Sequence, residues 1–209
     1  MSGAAAETTL RLFVALELPD AVRRAVGEWA GTELARTEGL RLVGDAALHV
    51  TLCFLGATPA SELDAISAAC REAAAGHPPL RLSLGPVLAL PRRRPRAVAI
   101  GVVAGTEEGG RGPAGDAAEV TELGALQGAL SARLAAGGWY RPEARPFLAH
   151  LTVARVRSRS RIDARALDRV RPIEAPAFAA ETVTVFRSRT RPGGAQYEAL
   201  ARVALVAGS

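Results

Sequence analysis

The sequence predicts an α+β fold, and three observations carry that expectation. Short apolar runs of strand length alternate with longer segments of helical period, no strand-turn-helix unit carries a Rossmann fingerprint, and the order of elements in the first half recurs in the second. With 209 residues, 49% of them hydrophobic and 22% charged, the chain is expected to form one compact domain or two tightly joined lobes.

The elements follow in order. R-L-F-V-A-L-E-L (Arg11 to Leu18) reads as a strand, and Pro19-Asp20 opens a helix with apolar positions at Val22, Val26, Trp29 and Leu34. R-L-V (Arg41 to Val43), a loop through Gly44 and Asp45, and the strand L-H-V-T-L-C-F-L come next, ending at Gly56. Pro59 begins a second helix, with Leu63, Ile66 and Cys70 at helical spacing, which stops near Gly76 before the strand Leu80 to Leu84.

The second half opens with R-A-V-A-I-G-V-V (Arg96 to Val103). A glycine-rich stretch from Gly105 to Gly115 is expected to be a mobile surface loop, and a helix spans about Glu119 to Ala136, ending at Gly137-Gly138. R-P-F-L-A-H-L-T-V-A-R is a strand centred on Leu151. A short helix near Asp163 to Val170 and two strands, Thr182 to Arg187 and Gln196 to Val206, joined by a Pro192-Gly193-Gly194 turn, complete the chain. The approximate repeats are 10–88 and 96–206, within a single domain over 1–209, and an ancient duplication is the economical explanation.

Composition excludes several chemistries. All 26 basic residues are arginine, so a phosphate-binding loop ending G-K-[ST], a Schiff-base lysine and a lysyl-nucleotide ligase intermediate cannot be written here. The longest uncharged stretch, Ala46 to Ser61, is shorter than the roughly 20 apolar residues of a membrane span. The N-terminus lacks the basic start and apolar run of a secretory signal, and two cysteines, Cys53 and Cys70, are too few for a disulfide framework. A protein of the reducing cytoplasm, with no membrane association, is expected. The net charge of +5 is concentrated in three arginine clusters: P-R-R-R-P-R at 91–96, R-V-R-S-R-S-R at 155–161 and F-R-S-R-T-R at 186–191. Guanidinium groups at a cleft mouth would attract a polyanion; otherwise these clusters are solvated surface.

The informative feature is a pair of motifs. Two of the three histidines occur as H-x-T, L-H-V-T-L at 48–52 and A-H-L-T-V at 149–153. With twelve threonines in the chain, accident would produce this with a probability on the order of one in a hundred. A strand projects alternate residues from one face, so His49 and Thr51 share a face, as do His150 and Thr152, while Val50, Leu52, Leu151 and Val153 pack behind. Two facing imidazoles can serve as general base and general acid in one displacement, and two hydroxyls can donate hydrogen bonds to the non-bridging oxygens of a phosphoryl group. No Asp, Glu, Cys or third His shares either motif at metal-ligand spacing, and His77, before two prolines, reads as an ordinary loop residue.

At both motifs the sequence resembles the 2H phosphoesterase superfamily, and more closely its bacterial RNA 2',3'-cyclic phosphodiesterases, historically called 2'-5' RNA ligases. The likeness also covers R-L-F-V-A-L-E-L-P, the extension L-H-V-T-L-C-F-L-G, R-P-F-L-A-H-L-T-V-A-R and the late strand V-T-V-F-R-S. It implies a bilobal fold of two pseudo-twofold-related lobes, with antiparallel sheets lining a central cleft and helices outside. It implies a site without metal or other cofactor that hydrolyses a terminal RNA 2',3'-cyclic phosphate to a 2'-phosphate. The partner is then an RNA or oligonucleotide with a cyclic phosphate end, and nothing calls for an obligate protein partner, so a monomer is expected.

The family residues carried over are His49 and His150 as the catalytic pair, with His150 as base and His49 as acid, and Thr51, Thr152, Phe54 and Arg155 as substrate contacts. Phe54 would stack on a base and Arg155 would hold phosphate. Simple alternation places both on the face opposite the histidines, so each reaches the cleft only where a strand end or bulge intervenes; otherwise Phe54 packs in the core and Arg155 is solvated. The chain departs from the family in having Ala149 where relatives often carry proline, and in a longer loop after Gly105. Three alternatives remain at this level: ATP-independent 2'-5' ligation at the same site, a small cyclic nucleotide or ADP-ribose cyclic phosphate as the substrate, and a non-catalytic RNA-binding module built on the arginine clusters and Phe54.

Overall fold

The computed structural model describes residues 7–104, 122–191 and 194–207. The expected loop at 105–115, the start of the third helix and Pro192-Gly193 of the last turn lie outside the described residues. The elements are β1 (Thr9–Glu17), α1 (Asp20–Glu33), β2 (Leu40–Leu42), β3 (His49–Pro59), α2 (Leu63–Ala74), β4 (Ala75–Gly76), β5 (Leu80–Leu90), β6 (Ala97–Ala104), α3 (Glu122–Ala136), β7 (His150–Val156), β8 (Phe178–Ala180), β9 (Thr182–Arg191), β10 (Gly194–Ala204) and β11 (Val206–Ala207). The segment expected to be a helix near 163–170 is a 3-10 helix over Ala164–Arg169, where the Asp163 carboxylate accepts a hydrogen bond from the Arg165 backbone N–H. β3 and β5 run longer than the sequence suggested.

One nine-stranded antiparallel sheet dominates, in the order β10-β9-β1-β3-β7-β6-β5-β8, with β2 pairing on β7. The expected sheets of the two lobes are therefore two halves of one sheet, β10-β9-β1-β3 with four strands and β7-β6-β5-β8 with β2 as a fifth. They meet where Val50 of β3 pairs with Leu151 of β7. A separate two-stranded ribbon joins β11 to β4 in parallel.

Each half draws on both parts of the chain. β9 and β10 come from the C-terminal end and lie beside β1, while β5, from the first repeat, lies beside β6. The helices sit behind the sheet. α2 and α3 pack on each other and against the β10-β9-β1-β3 half, whereas α1 reaches across to β7. Period decides what is buried: Val22, Val26 and Ala30 of α1, Ile66, Cys70 and Ala73 of α2, and Leu123, Leu126, Leu130 and Leu134 of α3 face the sheet. They meet Leu12, Val14 and Leu16 of β1, Val50 and Leu52 of β3, and Leu151 and Val153 of β7. The alternate residues on those strands face the other way, and there the site lies.

Candidate active site

The register at the junction of the two halves builds the site. With Val50 opposite Leu151 in antiparallel pairing, His49 falls opposite Thr152 and Thr51 opposite His150. All four lie on the face away from the helices. Diagonal neighbours in such a pair are about 7–8 Å apart, which leaves room for one tetrahedral group between the two rings.

Both histidines are held alike. The Nδ1–H of His49 donates to the Ala47 carbonyl at 2.8 Å, and that of His150 donates to the Leu148 carbonyl at 2.8 Å. A carbonyl can only accept, so each neutral ring carries its proton on Nδ1 and leaves Nε2 for a ligand. Glu17 pairs with His49 in the strand register, but its carboxylate accepts from the Thr184 hydroxyl and the Arg202 Nε, each at 2.9 Å. Among the described residues neither histidine is paired with a carboxylate, and neither the Thr51 nor the Thr152 hydroxyl has a protein hydrogen-bond partner. Those hydroxyls are unengaged donors in the cleft.

Phe54 and Arg155 are re-phased by matching bulges. In the β1–β3 ladder, Val14 pairs with Cys53 and Ala15 with Thr51, so β3 carries an extra residue. Leu52 and Cys53 are consecutive core residues, and Phe54 emerges 46% exposed on the histidine face. In the β6–β7 ladder, Val98 pairs with Ala154 and Ala99 with Thr152, so Val153 and Ala154 are both buried and Arg155 emerges exposed. Each bulge stands at the same distance after its histidine. The Arg11 guanidinium lies over the Phe54 ring, 4.7 Å from its centroid, forming a flat cationic shelf. His77 lies in the turn between β4 and β5.

Sequence reasoning missed the wall around His49. Its ring centroid is 4.8 Å from that of Phe13, 4.9 Å from Tyr197 in an edge-on contact and 6.2 Å from Phe186. Phe13 stacks on Phe186 at 5.2 Å. Removal of water by this wall is the main reason the His49 pKa falls from 6.5 to about 4; the hydrogen bond to Ala47 acts in the opposite sense, and the nearby charges of Arg155 and His150 add to the fall. The available signal was scarcity. The chain has five phenylalanines and two tyrosines, and three of those seven rings gather at one imidazole.

No group of three or more His, Cys, Asp or Glu side chains is close enough to hold a metal ion among the described residues. No helix among them is long and apolar enough to cross a membrane.

Comparison with known proteins assigns the chain to a family. Residues 18–192 match the family described as the 2'-5' RNA ligase superfamily. The RNA 2',3'-cyclic phosphodiesterase of Archaeoglobus fulgidus is 32% identical over 179 residues, covering 85% of this chain and 89% of that protein. Among solved structures, TT0787 of Thermus thermophilus superposes with a TM-score of 0.74 at 26% identity, covering 94% of this chain and 98% of that one. E. coli LigT complexed with 3'-AMP gives a TM-score of 0.71 at 25% identity, covering 95% and 99%.

Proposed function

The chain belongs to the 2'-5' RNA ligase superfamily, and from that premise we propose that its cleft hydrolyses the 2',3'-cyclic phosphate end of an RNA to a 2'-phosphate without a metal ion. The observation that carries this reading is the set of two imidazoles with Nε2 available and two unengaged threonine hydroxyls, on one face across the β3–β7 junction.

The balanced step is an in-line displacement at phosphorus. Water attacks as one imidazole Nε2 takes its proton, the bond from phosphorus to the ribose O3' breaks, and the other imidazole protonates that departing oxygen. Thr51 and Thr152 donate to the non-bridging oxygens, Arg155 offsets their charge, and Phe54 stacks on the terminal base. Family resemblance makes His150 the base and His49 the acid. His49 is neutral in the free protein, so that role requires it to gain a proton with the bound phosphate, whose negative charge raises its pKa. The finer expectations go with this reading: a monomer working in a reducing cytoplasm, in keeping with two buried cysteines that form no disulfide.

The superfamily's description also favours the related transfer, in which an RNA 5'-hydroxyl replaces water and a 2'-5' linkage forms without ATP. Product analysis on a defined cyclic-phosphate-ended oligonucleotide, with a chelator present and with or without a 5'-hydroxyl acceptor, separates the outcomes. The expected result is chelator-resistant release of a 2'-phosphate end. Activity abolished by the chelator and restored by added metal would overturn the proposal.

A further inference from the structure

Two of the three arginine clusters converge in a place the hydrolytic step does not use. The loop preceding β6 and the loop following β7 enclose a cleft of about 570 Å³ lined by Arg93, Arg94, Arg96, Arg157, Arg159 and Arg161. That volume suits a ligand group, but a lining with six arginines suits a polyanion rather than an apolar molecule. Among the described residues none of the six forms an ion pair with a carboxylate. The third cluster differs: Arg187 and Arg189 both reach Glu198, at 3.9 and 2.8 Å.

The cleft is built rather than incidental. The Val156 N–H donates to the Arg96 carbonyl at 2.9 Å, the Arg157 N–H to the Gly39 carbonyl at 2.7 Å, and the Arg157 Nε to the Leu40 carbonyl at 3.0 Å, so both loops are tied to the sheet. A turn closed by Ser160 N–H to the Arg157 carbonyl at 3.0 Å holds Arg159 at φ 68°, a left-handed conformation that glycine or asparagine adopts more readily than arginine. The basic run also continues from the catalytic cleft. Arg155, which acts on His49, pairs in the sheet with Ala97, and the cleft begins at the adjoining residues Arg96 and Val156. At the rise of an extended strand, Arg157 stands on the order of 20 Å from His150. A single nucleotide does not span that distance; a strand of several does.

We propose that this cleft is a second phosphate-binding site, which holds the phosphodiester backbone of the RNA strand leading to the cyclic end. The inference rests on the phosphodiesterase reading of the His49–His150 site, and it makes the preferred substrate an oligonucleotide rather than a cyclic mononucleotide.

The test compares the unmodified protein with a triple variant, Arg93→Ala, Arg94→Ala and Arg161→Ala, and with Arg159→Asn, which removes a charge while suiting the backbone. Each is assayed on a 2',3'-cyclic mononucleotide and on a cyclic-phosphate-ended oligonucleotide. The triple variant is expected to raise KM for the oligonucleotide about tenfold or more, leave its kcat within twofold, and leave mononucleotide hydrolysis within twofold. The salt dependence of oligonucleotide binding should become shallower by about 0.7 in log-log slope for each phosphate that the variant no longer neutralises. Arg189→Ala, in the cluster engaged by Glu198, should change none of these. Fluorescence anisotropy with an oligonucleotide lacking the cyclic phosphate reads the second site directly, so failure of hydrolysis and failure of this inference are distinguishable. Oligonucleotide binding that the triple variant leaves intact, an equal loss for both substrates, or an equal effect of Arg189→Ala would each overturn it.

Discussion

The two halves of the cleft carry the same motif in unlike surroundings. On both sides H-x-T sits on a strand, the imidazole Nδ1–H is anchored to the carbonyl two residues earlier, and a bulge three to four residues on turns the next polar or aromatic side chain toward the cleft. Around His49 the neighbouring strands supply Phe13, Phe186 and Tyr197. Around His150 they supply Gly101, directly opposite, and Ala99, opposite Thr152. β5 approaches so closely there that a Cβ on Gly101 would lie 3.4 Å from the Pro86 Cδ. A repeated motif therefore does not repeat its packing. Chemistry that needs one proton donor and one acceptor can start from two identical motifs and be differentiated by what packs beside them.

The largest expected effect breaks the comparison outright. His49→Ala and His150→Ala should each reduce turnover of a cyclic-phosphate-ended oligonucleotide by on the order of a hundredfold to ten-thousandfold, measured as initial rates. Near-normal turnover in either variant removes the paired acid-base scheme.

Next comes the pH dependence of stability, which should belong to His49. Its folded pKa of about 4 lies below its ordinary value of 6.5, so between those pH values the unfolded chain binds a proton that the folded protein refuses. This contribution is fully present above pH 6.5 and is lost as pH falls toward 4, at most about 3 kcal/mol. Urea unfolding of the parent and of His49→Gln at pH 7 and pH 4.5 should show a smaller loss in the variant; equal losses would place the linkage elsewhere.

Smaller effects sharpen the contrast. Thr51→Val and Thr152→Val should each lower kcat/KM about tenfold to a hundredfold through loss of a hydrogen bond to charged oxygen, and similar losses would mark the two hydroxyls as equivalent. Tyr197→Leu exchanges an aromatic wall for an aliphatic one, and by proton NMR should move the His49 titration only slightly. Binding a phosphate-bearing product should move it upward by much more. No upward movement on binding would reverse the assigned roles, leaving His49 as the base.

Local pattern made much of this legible. The alternation of apolar residues located β1, β3, β6 and β7, the helical period located α1 and α2, and the paired H-x-T spacing identified four side chains that the structure brings together. Alternation failed at Phe54 and Arg155, because an extra residue in a ladder shifts every later side chain to the opposite face, and only the partner strand reveals that residue. Three arginine clusters looked equivalent along the chain. Pairing separates them: Glu198 engages Arg187 and Arg189, while the other two clusters share a cleft.

What the sequence determined by itself was local: the period of each element, the paired motifs from which the candidate site is built, and, through the missing lysine, the chemistries it could not perform. Tertiary structure decided how groups distant in the chain meet. The β3–β7 register places each histidine across from the other motif's threonine, and β9 and β10 bring Phe186 and Tyr197 from the far end of the chain onto His49. The physical reason is that a side chain's face depends on its own strand, whereas its solvation and pKa depend on neighbours supplied by others. Period can be read from one segment; desolvation is a property of the assembled wall.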